Sequence, residues 1–220
     1  MTETAASRLA RRGARHPVFA RLYGRIAAAG EESGRAGHRA EMLAGLAGNV
    51  IEAGAGNGLN FAHYPSAVTE VLAVEPEPHL RRLAAHAAAS APVPVRIIDG
   101  TAGLLPAGDA QFDGAVCSGV LCSVPDLQQA LTELRRVLRP AGQLRFYEHV
   151  RSADPRRARM QDRADGIWAA LNGGCHPNRD TEAAITTQGF KIEACRRFDF
   201  QPCLLAAPVA PHILGRATRA

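Results

Sequence analysis

A short apolar run at residues 49–53 carries one acid, Glu52, and breaks at once into Gly54, Gly56 and Gly58, followed by Leu59 and Asn60. A strand that feeds a glycine-rich turn and then a helix lets the backbone approach a ligand closely at the carboxyl edge of a sheet. No other segment restricts the fold as strongly. Further β-type runs follow at 70–74, 93–98, 112–117 and 143–147, the first of them ending at Glu75 and the second at Asp99. Helical faces lie between them: Leu80, Leu83, Ala84 and Ala87 in one stretch, and Leu127, Ala130, Leu131, Leu134, Val137 and Leu138 in another, with Asp126 as its cap. This alternation predicts an α/β fold of βαβ units, with a mostly parallel sheet and right-handed crossovers.

Both flanks of this core look different. Residues 1–48 read as a helical arm, with helices over 17–29 and 31–46 placed to lie as a lid over the first strand's carboxyl end. Residues 49–220 read as the α/β domain, one globular unit with the arm. A helix over 155–171 sets Met160, Ala164, Ile167, Trp168 and Leu171 on one side and stops at Gly173 and Gly174. Phe190, Ile192 and Ala194 then alternate, and an extended stretch runs over 204–214; these predict two final strands, antiparallel to the others at one edge.

Charge limits the partners. The net charge is +5, and the first 25 residues hold six arginines (Arg8, Arg11, Arg12, Arg15, Arg21, Arg25) against the single acid Glu3, which is the whole surplus. A basic face for nucleic acid is therefore not expected on the fold, and peripheral contact with an anionic membrane falls to the arginine-rich arm alone. No apolar run reaches 18 residues, so no membrane span is expected, and the start lacks the apolar core of a secretory signal. A cytoplasmic location follows as an expectation. The five cysteines (Cys117, Cys122, Cys175, Cys195, Cys203) contain no C-x-x-C pair. They read as free thiols with no metal site. Arsenite capture by Cys117 and Cys122 would need a third convergent thiolate.

The glycine loop also selects its ligand. A dinucleotide turn would place its third glycine one residue later, where Leu59 stands, and Glu52 would repel a pyrophosphate. A carboxylate there suits a cation, and S-adenosylmethionine carries both a sulfonium and an ammonium. Glu75, 23 residues after Glu52, stands where a carboxylate accepts two ribose hydroxyls. Thr101 and Ala102 follow the third strand, beside the expected adenine.

These segments, with Val74-Glu75-Pro76, residues 100–106, Phe112-Asp113 and residues 134–142, resemble class I S-adenosylmethionine-dependent methyltransferases of the type 11 group, which includes the quinone-biosynthesis C-methyltransferases. The resemblance implies a Rossmann-like seven-stranded sheet with helices on both faces, and S-adenosylmethionine as cofactor. It assigns the cofactor to Glu52, Gly54, Gly56, Asn57, Gly58, Asn60, Glu75, Pro76, Thr101, Ala102 and Ser118, with Tyr23 closing from the arm. A narrower likeness, carried by residues 120–124, Glu148-His149-Val150, Gly174-Cys175, Arg179-Asp180-Thr181 and Pro211-His212-Ile213, is to the animal alkyl-thiol methyltransferases. The chain departs from these relatives in its arginine-rich start, in the missing carboxylate near Gly103, and in Ala141, which stands where a glycine is common.

Methyl transfer from a sulfonium is an in-line displacement in which the protein supplies orientation and a dry pocket. A thiol, with a pKa of about 8.5, needs little help to ionise, whereas a phenol or an enolisable carbon needs a positioned base. His149, at the end of the fifth strand, and His176, after Cys175, are the candidate catalytic groups. The acceptor is expected to be a small, rather apolar molecule, with a thiol first and a quinone-like or phenolic ring second. A nicotinamide-dependent oxidoreductase is the remaining alternative, disfavoured by Gly58 and Glu52.

Overall fold

The computed structural model describes residues 16, 17, 19–21 and 30–220. Seven strands form one sheet in the order β3-β2-β1-β4-β5-β7-β6. They are β1 (Gly48–Ala53), β2 (Val68–Val74), β3 (Val95–Ile98), β4 (Phe112–Ser118), β5 (Leu138–His149), β6 (Phe190–Asp199) and β7 (Pro211–Arg219). The first five are parallel, while β7 runs antiparallel to both β5 and β6. The described helices of seven residues or more are α1 (Ala36–Leu43), α2 (Pro78–Ala88), α3 (Leu127–Val137), α4 (Pro155–Leu171) and α5 (Thr181–Thr187). As predicted, Asp126 caps α3, accepting from the Gln129 N–H at 3.0 Å.

β1 is central, and its last four residues are all buried. Its alternation splits the core in two, as a parallel sheet covered on both faces requires. Ile51 joins Leu131, Leu134 and Phe146 on one face. Val50 joins Met42, Leu43, Leu46 and Phe61 on the other. Because β2 and β4 flank β1 on opposite sides, the chain leaves the sheet in opposite directions after β1 and β4. That divergence opens a crevice at their carboxyl ends.

Four expectations need correction. Of the two final strands only β7 is reversed, and it lies inside the sheet; β6, at the edge, pairs antiparallel with β7 and so runs in the same direction as β1–β5. Residues 204–214 are not one extended stretch: a tight helical turn spans Leu204–Val209, and β7 begins at Pro211. Pro208 and Pro211 lack the N–H that an uninterrupted ladder would use. β5 begins at Leu138 rather than 143, passing through Ala141 at φ 63°, a left-handed conformation that suits the glycine common there. The apolar side of α4 is divided: Met160, Ile167 and Leu171 face outward at 42%, 73% and 70% exposure, while Trp168 lines a cavity. What α4 buries is Ala158 and the polar Gln161. Gln161 is 1% exposed, and its amide donates to the carbonyls of Val150, Pro177 and Pro208. Those bonds tie three loops to the helix.

Of the predicted arm, α1 and one wide helical turn at Glu31–Arg35 lie in the described residues. Most of the helix expected over 17–29 falls outside them, as does Tyr23.

Candidate active site

A cavity of about 860 Å³ occupies the crevice above β1 and β4. That is room for a nucleoside-sized ligand and a small second molecule. One end is formed by strand ends and backbone. Gly54 and Gly56 line it after β1, Glu75 and Pro76 after β2, Thr101 and Ala102 after β3, and Ser118 after β4. Gly54 has φ 66°, and a Cβ there would sit 2.5 Å from Val120. Only glycine fits both the conformation and the gap.

Glu75 is 5% exposed yet reaches the cavity wall. One carboxylate oxygen accepts the Gly56 N–H at 2.8 Å, and the other accepts the Glu77 N–H at 2.9 Å. Burial raises its pKa, against the pull of these backbone donors. Each oxygen retains a further lone pair for a hydroxyl. The residues at this end therefore fit S-adenosylmethionine: a glycine-cleared floor beside a carboxylate with accepting capacity left over. Thr101 pairs with Leu104 in a small bridge, and Gln129 donates to the Gly103 carbonyl at 3.1 Å. Gln129 thus fixes the turn at the position where the sequence lacks a carboxylate.

Glu52 stands behind this wall rather than on it. It is 2% exposed, and its two oxygens accept from the Asn60 amide at 2.8 Å and the Tyr64 hydroxyl at 2.7 Å. Burial pushes its pKa up to about 7, with Tyr64, Asn60 and Arg39 opposing. Asn60 in turn accepts from the Arg39 guanidinium at 2.7 Å, and Arg39 also donates to Ser118 at 3.2 Å and to Glu31 at 2.9 Å. Arg39 lines the cavity although it is 5% exposed. The sequence reading missed it, because an arginine on a helix ahead of the first strand carries no motif. Of the predicted cofactor residues, Asn57, Gly58 and Asn60 do not line the cavity either. A Cβ on Gly58 would meet Phe61 at 2.7 Å and Ala87 at 2.9 Å, so this glycine serves packing against α2.

Side chains from distant segments build the other end: Phe19, Tyr147, His149, Trp168, Cys175 and His212, with Val209 beside them. His149 on β5 lies directly opposite His212 on β7, and their rings are 4.6 Å apart. Burial drives the His212 pKa down to about 2. Its Nδ1 lies 2.8 Å from the Ala210 carbonyl, so that nitrogen carries the proton and Nε2 is left as an acceptor. His149 Nδ1 is 3.4 Å from Cys122 Sγ and 3.5 Å from Cys175 Sγ, and the two sulfurs are 3.7 Å apart. The thiol pair shares its proton unequally. The hydrogen bond between the two sulfurs holds Cys175 well below the usual thiol range and pushes Cys122 up.

His176 is a correction. Its Nδ1 is held by Asp165 at 2.9 Å, and it does not line the cavity. Its N–H donates to the Cys122 carbonyl at 2.7 Å, which makes it a loop anchor. Cys117 is buried within β4, where burial raises its pKa, and no third thiol joins Cys122 and Cys175. The arsenite alternative loses its ligand set. Among the described residues no helix is long and apolar enough to cross a membrane.

Comparison with known proteins agrees with this geometry. Residues 51–146 match the model of a methyltransferase domain family. The chain is 33% identical over 186 residues to mouse thiol S-methyltransferase TMT1B, covering 80% of this chain and 74% of that one. Human thiol S-methyltransferase TMT1A is 29% identical over 175 residues, covering 78% and 70%. Among solved structures, a Thermotoga maritima S-adenosylmethionine-dependent methyltransferase, described as a possible histamine N-methyltransferase, superposes with a TM-score of 0.69 at 19% identity, over 93% of this chain and 97% of that one.

Proposed function

The chain belongs to the class I S-adenosylmethionine-dependent methyltransferases, and on that premise we propose that the acceptor it methylates is a small, apolar thiol. S-adenosylmethionine, when bound, supplies a methyl group already activated on a sulfonium. The chain's own residues then orient, desolvate and deprotonate. Glu75 accepts the ribose hydroxyls on its remaining lone pairs. Arg39, fixed by Asn60 and Ser118, offers its guanidinium to the carboxylate of the amino-acid end. Glu52 acts through Asn60, holding Arg39 in place.

Phe19, Trp168 and Val209 give the acceptor end an apolar wall. His149 sits at its floor, where the acceptor must shed a proton. The observation that carries the thiol reading is the weakness of the bases there. Burial keeps His212 neutral, and no carboxylate lines this end among the described residues. A thiol near pKa 8.5 ionises with that modest help, while a phenol near 10 or a carbon acid does not. The two curated relatives named as thiol S-methyltransferases support the same choice.

The test is an acceptor panel of alkyl thiols, phenols, quinols and amines, read by S-adenosylhomocysteine release. Turnover is expected with alkyl thiols, rising with their apolar character. Turnover of phenols or quinols with thiols silent would overturn the assignment.

A further inference from the structure

We propose that Cys122, His149 and Cys175 form a three-ligand site for a thiophilic divalent cation, zinc foremost, whose fourth vertex opens into the acceptor end of the cavity. The three candidate ligand atoms form a closed triangle with edges of 3.7, 3.4 and 3.5 Å. Zinc bonds to sulfur at about 2.3 Å and to imidazole nitrogen at about 2.0–2.1 Å; at a tetrahedral angle these lengths require edges of roughly 3.8 Å between sulfurs and roughly 3.6 Å from sulfur to nitrogen. The observed triangle is one face of that tetrahedron to within about 0.2 Å.

The ligand types agree with the geometry. Two thiolates balance a divalent charge, and an imidazole in third place suits borderline zinc better than arsenic, which favours a third thiolate. Each ligand is held from a different part of the chain, before any ion arrives. The Cys122 N–H donates to Glu148 at 3.1 Å, and the Cys122 carbonyl accepts from the His176 N–H. Glu148 also accepts from the Val120 N–H at 3.0 Å, so this buried carboxylate serves to set the loop. The Cys175 N–H donates to the Asn172 carbonyl at 3.1 Å. His149 is carried by β5, and the His212 ring packs 4.6 Å from its own, which fixes the imidazole's position. Cys122 lies fully buried beneath, whereas His149 and Cys175 face the cavity. A closed structural site would need a fourth protein ligand. Among the described residues the cluster offers three, the number that leaves a position for substrate.

The role of this cation rests on the thiol reading above; the site itself does not. The acceptor thiol binds the open vertex as a thiolate and releases its proton to solvent. A sulfur lone pair then forms the bond to the methyl carbon as the methyl–sulfonium bond breaks, its electron pair remaining on the departing sulfur. A thioether and S-adenosylhomocysteine result, with no change of oxidation state at the metal.

The experiment is titration of the reduced, chelator-treated full chain with cobalt(II), followed optically without cofactor. Uptake of one equivalent is expected, with a thiolate-to-cobalt charge-transfer band and the visible bands of tetrahedral cobalt. C175A and C122A should each weaken uptake by roughly 100-fold or more, while C195A leaves it unchanged. Zinc should displace the cobalt. Adding 2-mercaptoethanol should alter the visible bands as thiolate takes the fourth position. Absence of stoichiometric uptake, or uptake unaffected by both cysteine variants, would overturn the site. Uptake with bands indifferent to added thiol would overturn the cation's catalytic role. A silent thiol arm in the acceptor panel with normal cobalt uptake would instead sink the proposed substrate and leave the site standing.

Discussion

At the cofactor end of the cavity the wall is mainly backbone and strand-end carboxylate, supplied by residues that follow their own strands directly (Gly54 and Gly56 after β1, Glu75 after β2, Thr101 after β3), with Arg39 of α1 the side chain added from elsewhere. At the acceptor end the wall is side chain, and its members come from Phe19, β5, α4, the loop holding Cys175, and β7. The first end is made by the way parallel strands terminate, and one glycine or carboxylate cannot be moved without moving a strand. The second is made by convergence, so its chemistry can change by substitution without disturbing the sheet. A single scaffold can thereby keep its methyl donor and vary its acceptor.

This contrast can be broken experimentally. Gly54→Val should give the largest effect. The left-handed backbone and the clash with Val120 should reduce cofactor affinity by roughly 1000-fold in calorimetry, with thiol binding to the cobalt form retained. His149→Ala should do the reverse: kcat/KM for thiols falls by roughly 100-fold or more, and the cofactor dissociation constant stays unchanged. If both constants move together for either variant, the two ends are not separable.

Two further outcomes sharpen the cofactor end. The pKa of Glu52 is raised by burial from 4.5 to about 7. Its contribution to stability is therefore fully present below pH 4.5 and is lost as pH rises through about 7. Thermal melts of the cofactor-free protein should gain up to about 3 kcal/mol from this group between pH 8 and pH 5, and Glu52→Gln should remove that part of the slope. An unchanged slope would mean that Glu52 is not the buried titrating group described above. Glu75→Gln keeps the shape but removes the charge, and should weaken cofactor binding by about tenfold to thirtyfold. Equal affinity for the wild type and this variant would remove Glu75 from the ribose site.

Reading the chain alone found the sheet and the turns that follow its parallel strands: Gly54, Gly56, Glu75, Pro76, Thr101, Ala102 and Ser118 all line the cavity, whereas Glu52, Asn57, Gly58 and Asn60 do not. It misjudged positions whose partners are remote. On α4 the apolar side was read from spacing alone, yet Met160, Ile167 and Leu171 are exposed and the polar Gln161 is buried, where it donates to three carbonyls. His176 looked like a pocket group because it follows Cys175, but Asp165 on α4 holds its ring. Arg39 could not be anticipated, since it reaches the site only through the packing of α1 over β1.

From order alone, then, came the alternation of strands and helices and the glycine turn with its following acids. Those depend on neighbours in the chain: a strand's end and the turn leaving it are consecutive residues, and their conformational demands are local. The meeting of Cys122, His149, Cys175 and His212 was decided only on folding. The two cysteines are 53 positions apart. They meet because β4 and β5 are adjacent in the sheet, β7 pairs back along β5, and the loop after α4 returns over their ends. Adjacency of that kind is fixed by how the strands stack, and no periodicity within one segment records it.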